Sequence, residues 1–82
     1  LDIVVIKKLI GKHIVKRRKE LKWTQRRLAD ESGLDEKNID RFERGKINPY
    51  TSTFIKLAVA LELDVNQILK DIQQEYNSSD KQ

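Results

Sequence analysis

The chain contains no cysteine, no methionine, one histidine, one proline and three glycines, and aromatic residues make up only 6% of it. Without cysteine there is neither a disulfide framework nor a thiolate zinc site, and no carboxylates stand at ligand spacing around the lone His13. A glycine-rich phosphate loop is also missing. No apolar run approaches the roughly 20 residues that cross a bilayer. Ile3–Ile6 is a short apolar stretch followed by Lys7-Lys8, the reverse of a signal peptide's basic start and long apolar core. These absences set the expectation of a non-enzymatic chain without cofactor or metal, without a membrane partner, and suited to a reducing cytoplasm. At 82 residues it can bury one core and has no room for a second domain with its own ligand pocket. We expect a single domain over residues 1–76 and a flexible polar tail over 77–82.

What is abundant is positive charge, and it is unevenly placed. Between Lys7 and Arg27 there are ten Lys or Arg residues against one acid, Glu20, whereas from Glu62 onward five acids face two bases. Such polarity favours a polyanion such as DNA or RNA over a small acidic ligand.

Hydrophobic spacing reads as helix throughout. Leu9, Ile10, Ile14, Val15 and Leu21 form one apolar stripe of a first helix at about 8–21. Trp23-Thr24 is an apolar residue followed by an N-cap, and Leu28 stands where it can close a hydrophobic staple, so a second helix runs from Gln25 to about Ser32 and ends at Gly33. The same signal recurs in Leu34, Asp35 and Ile39, which predicts a third helix over Glu36–Arg44 stopped by Gly45. Pro49 breaks the chain. Thr51 or Ser52 then caps a fourth helix whose inner face is Phe54, Leu57, Ala58 and Leu61. Asp64 caps a fifth, with Gln67 placed for a capping box, Leu63 and Ile68 for a staple, and Leu69, Ile72 and Tyr76 continuing the stripe. Asp2–Ile6 is compatible with a short strand, an extra helical turn or an arm.

Two short helices joined by Gly33-Leu34-Asp35 make the tight unit whose second helix enters the major groove in many DNA-binding proteins. In the third helix Ile39 and Phe42 are expected inward, and Glu36, Lys37, Asp40, Arg41 and Arg44 outward. Lys37, Asn38 and Arg41 are candidate base-reading residues, since Lys and Arg donate to guanine and Asn pairs with adenine, and Glu36 can accept from a cytosine amino group. Gln25, Arg26, Arg27, Arg44, Lys46 and Asn48 are candidate phosphate ligands around a helix N-terminus and a loop. Asp40 either orients Arg41, Arg44 or Lys37, or weakens DNA binding.

The run Arg18-Lys19-Glu20-Leu21-Lys22-Trp23-Thr24-Gln25-Arg26-Arg27-Leu28-Ala29, then Gly33-Leu34, Ile39-Asp40-Arg41-Phe42-Glu43-Arg44-Gly45-Lys46-Ile47-Asn48-Pro49 and Phe54–Leu61, closely resembles the lambda and 434 repressor-like helix-turn-helix family. That family includes Cro and C1-type repressors, xenobiotic-response-element-type regulators, restriction-modification controller proteins and many antitoxins. The resemblance covers about Ile10 to Leu69 and implies an all-α, five-helix domain that binds palindromic double-stranded operators as a dimer. It implies that Gln25 is the phosphate-contacting glutamine, that Glu36 and Lys37 occupy the first base-reading positions, and that Arg41 is a further groove-facing one. It also implies an inward-turned ion pair between Arg18 and Glu43, where charge alone suggests a phosphate contact for Arg18. The chain departs from the family in having Lys22 at a common turn glycine, Arg27 at a capping-box position, and acids at Asp35, Glu36 and Asp40.

One reading helix spans few base pairs, so a homodimer is expected, with Val65, Ile68, Leu69, Ile72 and Tyr76 of the last helix as its surface. The expected role is a transcriptional regulator, a repressor or controller, in the cytoplasm at the nucleoid. The alternative is a module whose main partner is a protein, as in an antitoxin.

Overall fold

The computed structural model, which describes Asp2–Asp80, consists of five helices, most of them started by a side-chain cap. The order is α1 (Ile3–Glu20), α2 (Gln25–Ser32), α3 (Glu36–Glu43), α4 (Thr51–Leu61) and α5 (Val65–Asp80), with no strand among the described residues. Asp2 accepts from the Val4 amide, so the opening residues form the first turns of α1. Thr24 Oγ1 accepts from the Arg27 amide, Asp35 from Lys37 and Asp64 from Gln67, each satisfying an orphan donor of a first turn. Two expected caps are not formed. Tyr50, without a side-chain bond, precedes α4, leaving Thr51 and Ser52 inside the helix. Gln67 turns its amide forward to Asp71 instead of back to Asp64, so the capping box stays open. The third helix ends one residue before the expected Arg44, and α5 continues to Asp80 through residues expected to be a tail. Residues 81–82 of that expected tail lie outside the described residues.

The four interhelix junctions close alike. Amides of Trp23, Leu34, Lys46 and Leu63 reach back five residues to the carbonyls of Arg18, Ala29, Arg41 and Ala58. The residue before each has positive φ: Lys22 at 59°, Gly33 at 72°, Gly45 at 68° and Glu62 at 52°. This is the six-to-one closure that ties off a helix's last carbonyls.

Ile14, Leu28, Ala29, Ile39, Phe42, Leu57 and Leu61 form the buried core, with Ile10, Leu21, Trp23, Leu34, Ile47, Ala60 and Leu63 packed against it. Burying each large side chain contributes roughly 1.5 to 3 kcal/mol. The helix α1 packs on α3, α4 and α5, and α2 on α3 and α4. Close approach of α1 to α3 depends on Gly11, where a Cβ would lie 2.5 Å from the Phe42 carbonyl oxygen. No helix among the described residues is long and apolar enough to cross a membrane.

Candidate nucleic-acid interface

The position of α3 is set from behind by two kinds of contact. Ile39 is fully buried and Phe42 4% exposed, so these two anchor the helix to the core. Glu43, its side chain only 5% exposed, receives Arg18 Nε at 2.6 Å, Arg18 Nη2 at 3.0 Å and Gln25 Nε2 at 3.0 Å. Arg18 uses Nη1 for the Trp23 carbonyl at 2.9 Å, so one guanidinium joins α1, the turn before α2 and the end of α3. Its bond to Glu43 holds the Arg18 guanidinium pKa above the ordinary arginine value.

Gln25 is drawn into this frame. Its two amide protons go to Asp40 Oδ1 and Glu43 Oε1, at 3.1 and 3.0 Å. These bonds brace the first turn of α2 against α3. Its backbone amide and that of Arg26 lie in the helix's first turn, ahead of the Arg27 amide that Thr24 caps. Asp40 also receives Arg44 Nε at 3.1 to 3.2 Å. The Gln25 hydrogen bond first, and then the Arg44 and Lys46 charges, keep the Asp40 carboxyl below its ordinary range. Of the three residues that Asp40 is expected to orient, Arg44 is the one in contact with it.

The outer face of α3 meets α2 in a shallow hollow lined by Gln25, Glu36, Lys37, Asp40 and Arg41. Glu36, Lys37 and Arg41 are exposed and take no ion-pair partner among the described residues. Asn38 is not with them. It is half-buried and lines a separate hollow with Leu34, Phe42, Ile47, Asn48, Pro49, Tyr50 and Thr53, because 100° of rotation per residue carries it past Lys37 toward the loop before α4.

Arg26 of α2 and Lys46 and Asn48 of the loop after α3 are exposed. Arg27 is engaged locally, with Nε 2.9 Å from Glu31 and its guanidinium 5.1 Å from the centre of the Trp23 ring. Sequence spacing does not reveal the pairing of Gln25 with Asp40, which are 15 residues apart. Nor does it reveal Arg17 capping α4, through a 2.7 Å bond from Nε to the Leu61 carbonyl.

On α5, Ile68 is 2% exposed and belongs to the protomer's own interior, which removes it from the expected dimer surface. Leu69, Ile72 and Tyr76 remain together with Gln73 around a shallow apolar groove, and Val65 is 39% exposed.

Comparison with known proteins agrees with this architecture. The chain is 36% identical over 78 residues to the immunity repressor protein of Bacillus phage phi105, an alignment covering 88% of the chain and 54% of that relative. The chain thus spans about half the relative's length. Among solved structures it superposes on the restriction-modification controller protein C.AhdI from Aeromonas hydrophila with a TM-score of 0.69 at 29% identity, over 76% of this chain and 94% of that one. The clp gene regulator ClgR from Corynebacterium glutamicum shares the fold with a TM-score of 0.73 at 19% identity, over 92% and 84% of the two chains. Residues 14–68, more than half of the chain, match the family described as Helix-turn-helix, and the chain belongs to that family.

Proposed function

We propose that this domain is a sequence-specific, double-stranded DNA-binding transcriptional regulator that acts as a homodimer on a palindromic operator, in the manner of a repressor or controller at the nucleoid. The observation that carries the reading is the outward presentation of Lys37 and Arg41 on a helix clamped by Ile39, Phe42 and the Arg18–Glu43 pair. In this reading α3 lies in the major groove, where Lys37 and Arg41 donate to guanine O6 and N7 and Glu36 accepts from a cytosine amino group. Arg26, Lys46, Asn48 and the first-turn amides of α2 hold phosphates. Arg44 joins them by exchanging Asp40 for a phosphate, since an exposed intrahelical ion pair contributes only about 0 to 1 kcal/mol.

The acids on α3 give little support to a purely protein-binding role. Asp35 is a cap and Asp40 is held by Gln25 and Arg44. The apolar groove of Leu69, Ile72 and Tyr76 supports pairing of two copies through α5. A monomeric sedimentation mass for the DNA-bound chain would overturn that part of the proposal.

Selection of bound sequences from a random duplex library at two salt concentrations tests the whole. An enriched inverted repeat is expected, with half-sites spaced by about one turn of DNA. Lys37→Ala and Arg41→Ala should change the preferred bases, and Arg44→Ala should weaken all sequences alike. No enrichment even in dilute salt would contradict the reading.

A further inference from the structure

The basic run of the first helix is larger than the interface described so far requires. Arg17 is held by the Leu61 carbonyl and faces Glu20 and Glu62, Arg18 by Glu43, and Arg27 by Glu31. Lys8, Lys12 and Lys19 are exposed and have no ion-pair partner among the described residues. At 100° per residue these three share one stripe of α1. His13 and Arg17 lie on the other side of the helix, bonded to Asp71 of α5 and to Leu61 of α4.

Two glycines determine where that stripe is carried. A Cβ at Gly11 would lie 2.5 and 2.6 Å from the carbonyl oxygens of Phe42 and Glu43, so α1 rests backbone to backbone on the C-terminal end of α3. One turn earlier, a Cβ at Gly45 would lie 3.0 Å from Lys8 Cα and 3.1 Å from its Cγ. Lys8 is therefore seated against the residue between Arg44 and Lys46, at the start of the phosphate-binding loop. Both Lys8 and Lys12 precede residues 14–68, the part matched by the family, so the stripe reaches beyond the shared module.

We propose that Lys8 and Lys12 form a flanking contact to the DNA backbone, continuing the phosphate-binding loop from Arg44–Asn48 onto the amino-terminal turns of α1. The inference rests on the DNA-binding reading above. The contact is to phosphate and independent of sequence, because a flexible ammonium stem offers a point charge without the planar fork that reads a base. A purely structural role, in which the Lys8 ammonium complements the carbonyl end of α3, would instead lower the melting temperature of Lys8→Gln and leave DNA binding's salt dependence untouched.

The test is anisotropy titration of the full chain on a fixed duplex of arbitrary sequence across about 50 to 200 mM salt, with Lys8→Gln, Lys12→Gln, their combination, Lys8→Arg and Lys16→Gln. Lys16 lines a different hollow, with His13, Arg17, Glu20, Leu63, Asp64 and Gln67, and serves as the control for net charge. Removing one lysine–phosphate interaction should reduce the slope of log K against log salt by about 0.9. The single variants are expected to lose close to one such unit, the pair close to two, with Lys8→Arg and Lys16→Gln keeping the parent slope and all variants keeping the parent melting temperature. A parent chain that binds with an unchanged slope in the double variant, or an equal change in Lys16→Gln, overturns this inference alone. A parent chain that binds no duplex overturns both it and the reading on which it rests.

Discussion

Replacing Arg18 with Met keeps the length of the side chain and removes its charge. Glu43 then remains 95% enclosed with one donor, Gln25 Nε2, where it had three. Breaking one side of a buried ion pair costs about 3 to 5 kcal/mol, because the surviving charge stays out of water without its counterion. Arg18 is itself 13% exposed, so water can reach part of the vacated site and the low end, about 3 kcal/mol, is expected. A chain of 82 residues has roughly 4 to 12 kcal/mol of stability in total, so the single change removes a quarter or more of it. Glu43→Leu should cost a similar amount by stranding the guanidinium. The double variant strands no charge and leaves only neutral groups, the Trp23 carbonyl and the Gln25 amide, short of a partner, at about 1 kcal/mol each. Equilibrium urea unfolding followed by circular dichroism should therefore show the double variant more stable than either single one. Its loss should fall about 3 to 4 kcal/mol short of the two single losses added together. Single variants within about 1 kcal/mol of the parent, or strict additivity, would refute the reasoning.

Three further perturbations probe the helix contacts, a turn and the bonds of one carboxylate. Gly11→Ala gains about 1 kcal/mol of helix propensity, but its Cβ meets carbonyl oxygens of α3 that cannot swing aside, an overpacking cost of about 1 to 3 kcal/mol; thermal melting should show net destabilisation, and a higher melting temperature would contradict the close approach. Lys22→Gly relieves a left-handed backbone worth roughly 1 to 2 kcal/mol against about 0.4 to 1 kcal/mol of added chain entropy in the unfolded state, so a melting point a few degrees higher is expected. Asp71, held below its ordinary range by Gln67 first and then His13, favours the folded state at pH above the unfolded carboxyl value near 3.9, and this contribution disappears as pH falls through the lower folded value. Asp71→Asn should flatten the loss of stability on acidification below about pH 4, and an unchanged acid limb in pH-dependent urea titrations would count against the pairing.

The turn between α2 and α3, the core stripe and the face of α3 are legible in local pattern, because caps at Thr24 and Asp35, the stop at Gly33 and the 3.6-residue spacing each act within a few residues. Two of the four left-handed turn residues are equally plain as glycines. Lys22 and Glu62 occupy the same conformation without any such signature, which leaves the exits of α1 and α4 less well defined in the sequence. Gly11 is itself a signal of close approach, since a glycine inside a helix is unfavourable unless another backbone comes near.

What local pattern does not supply is pairing across the fold. Gln25 has the character of a phosphate ligand in the sequence, and only the fold places Asp40 and Glu43 of α3 on its amide. Ile68 and Leu69 are adjacent and equally apolar, and only the packing of α5 on α1 decides that the first is interior and the second exposed. Asn38 is likewise separated from Lys37 by a rotation whose consequence depends on where the loop before α4 lies. The expectation for Arg18 and Glu43 rests on family resemblance, since at a separation of 25 positions charge pattern alone gives no reason to join them.

Backbone amide mapping by nuclear magnetic resonance shows most directly which face of the molecule meets the duplex. On titration of the labelled chain with a selected operator duplex, the largest changes should fall at Lys37, Arg41 and the first-turn amides of α2, with Leu69 and Tyr76 unaffected by DNA at a concentration where the chain is already paired. Changes concentrated on α4 or α5, with the outer face of α3 silent, would contradict the account.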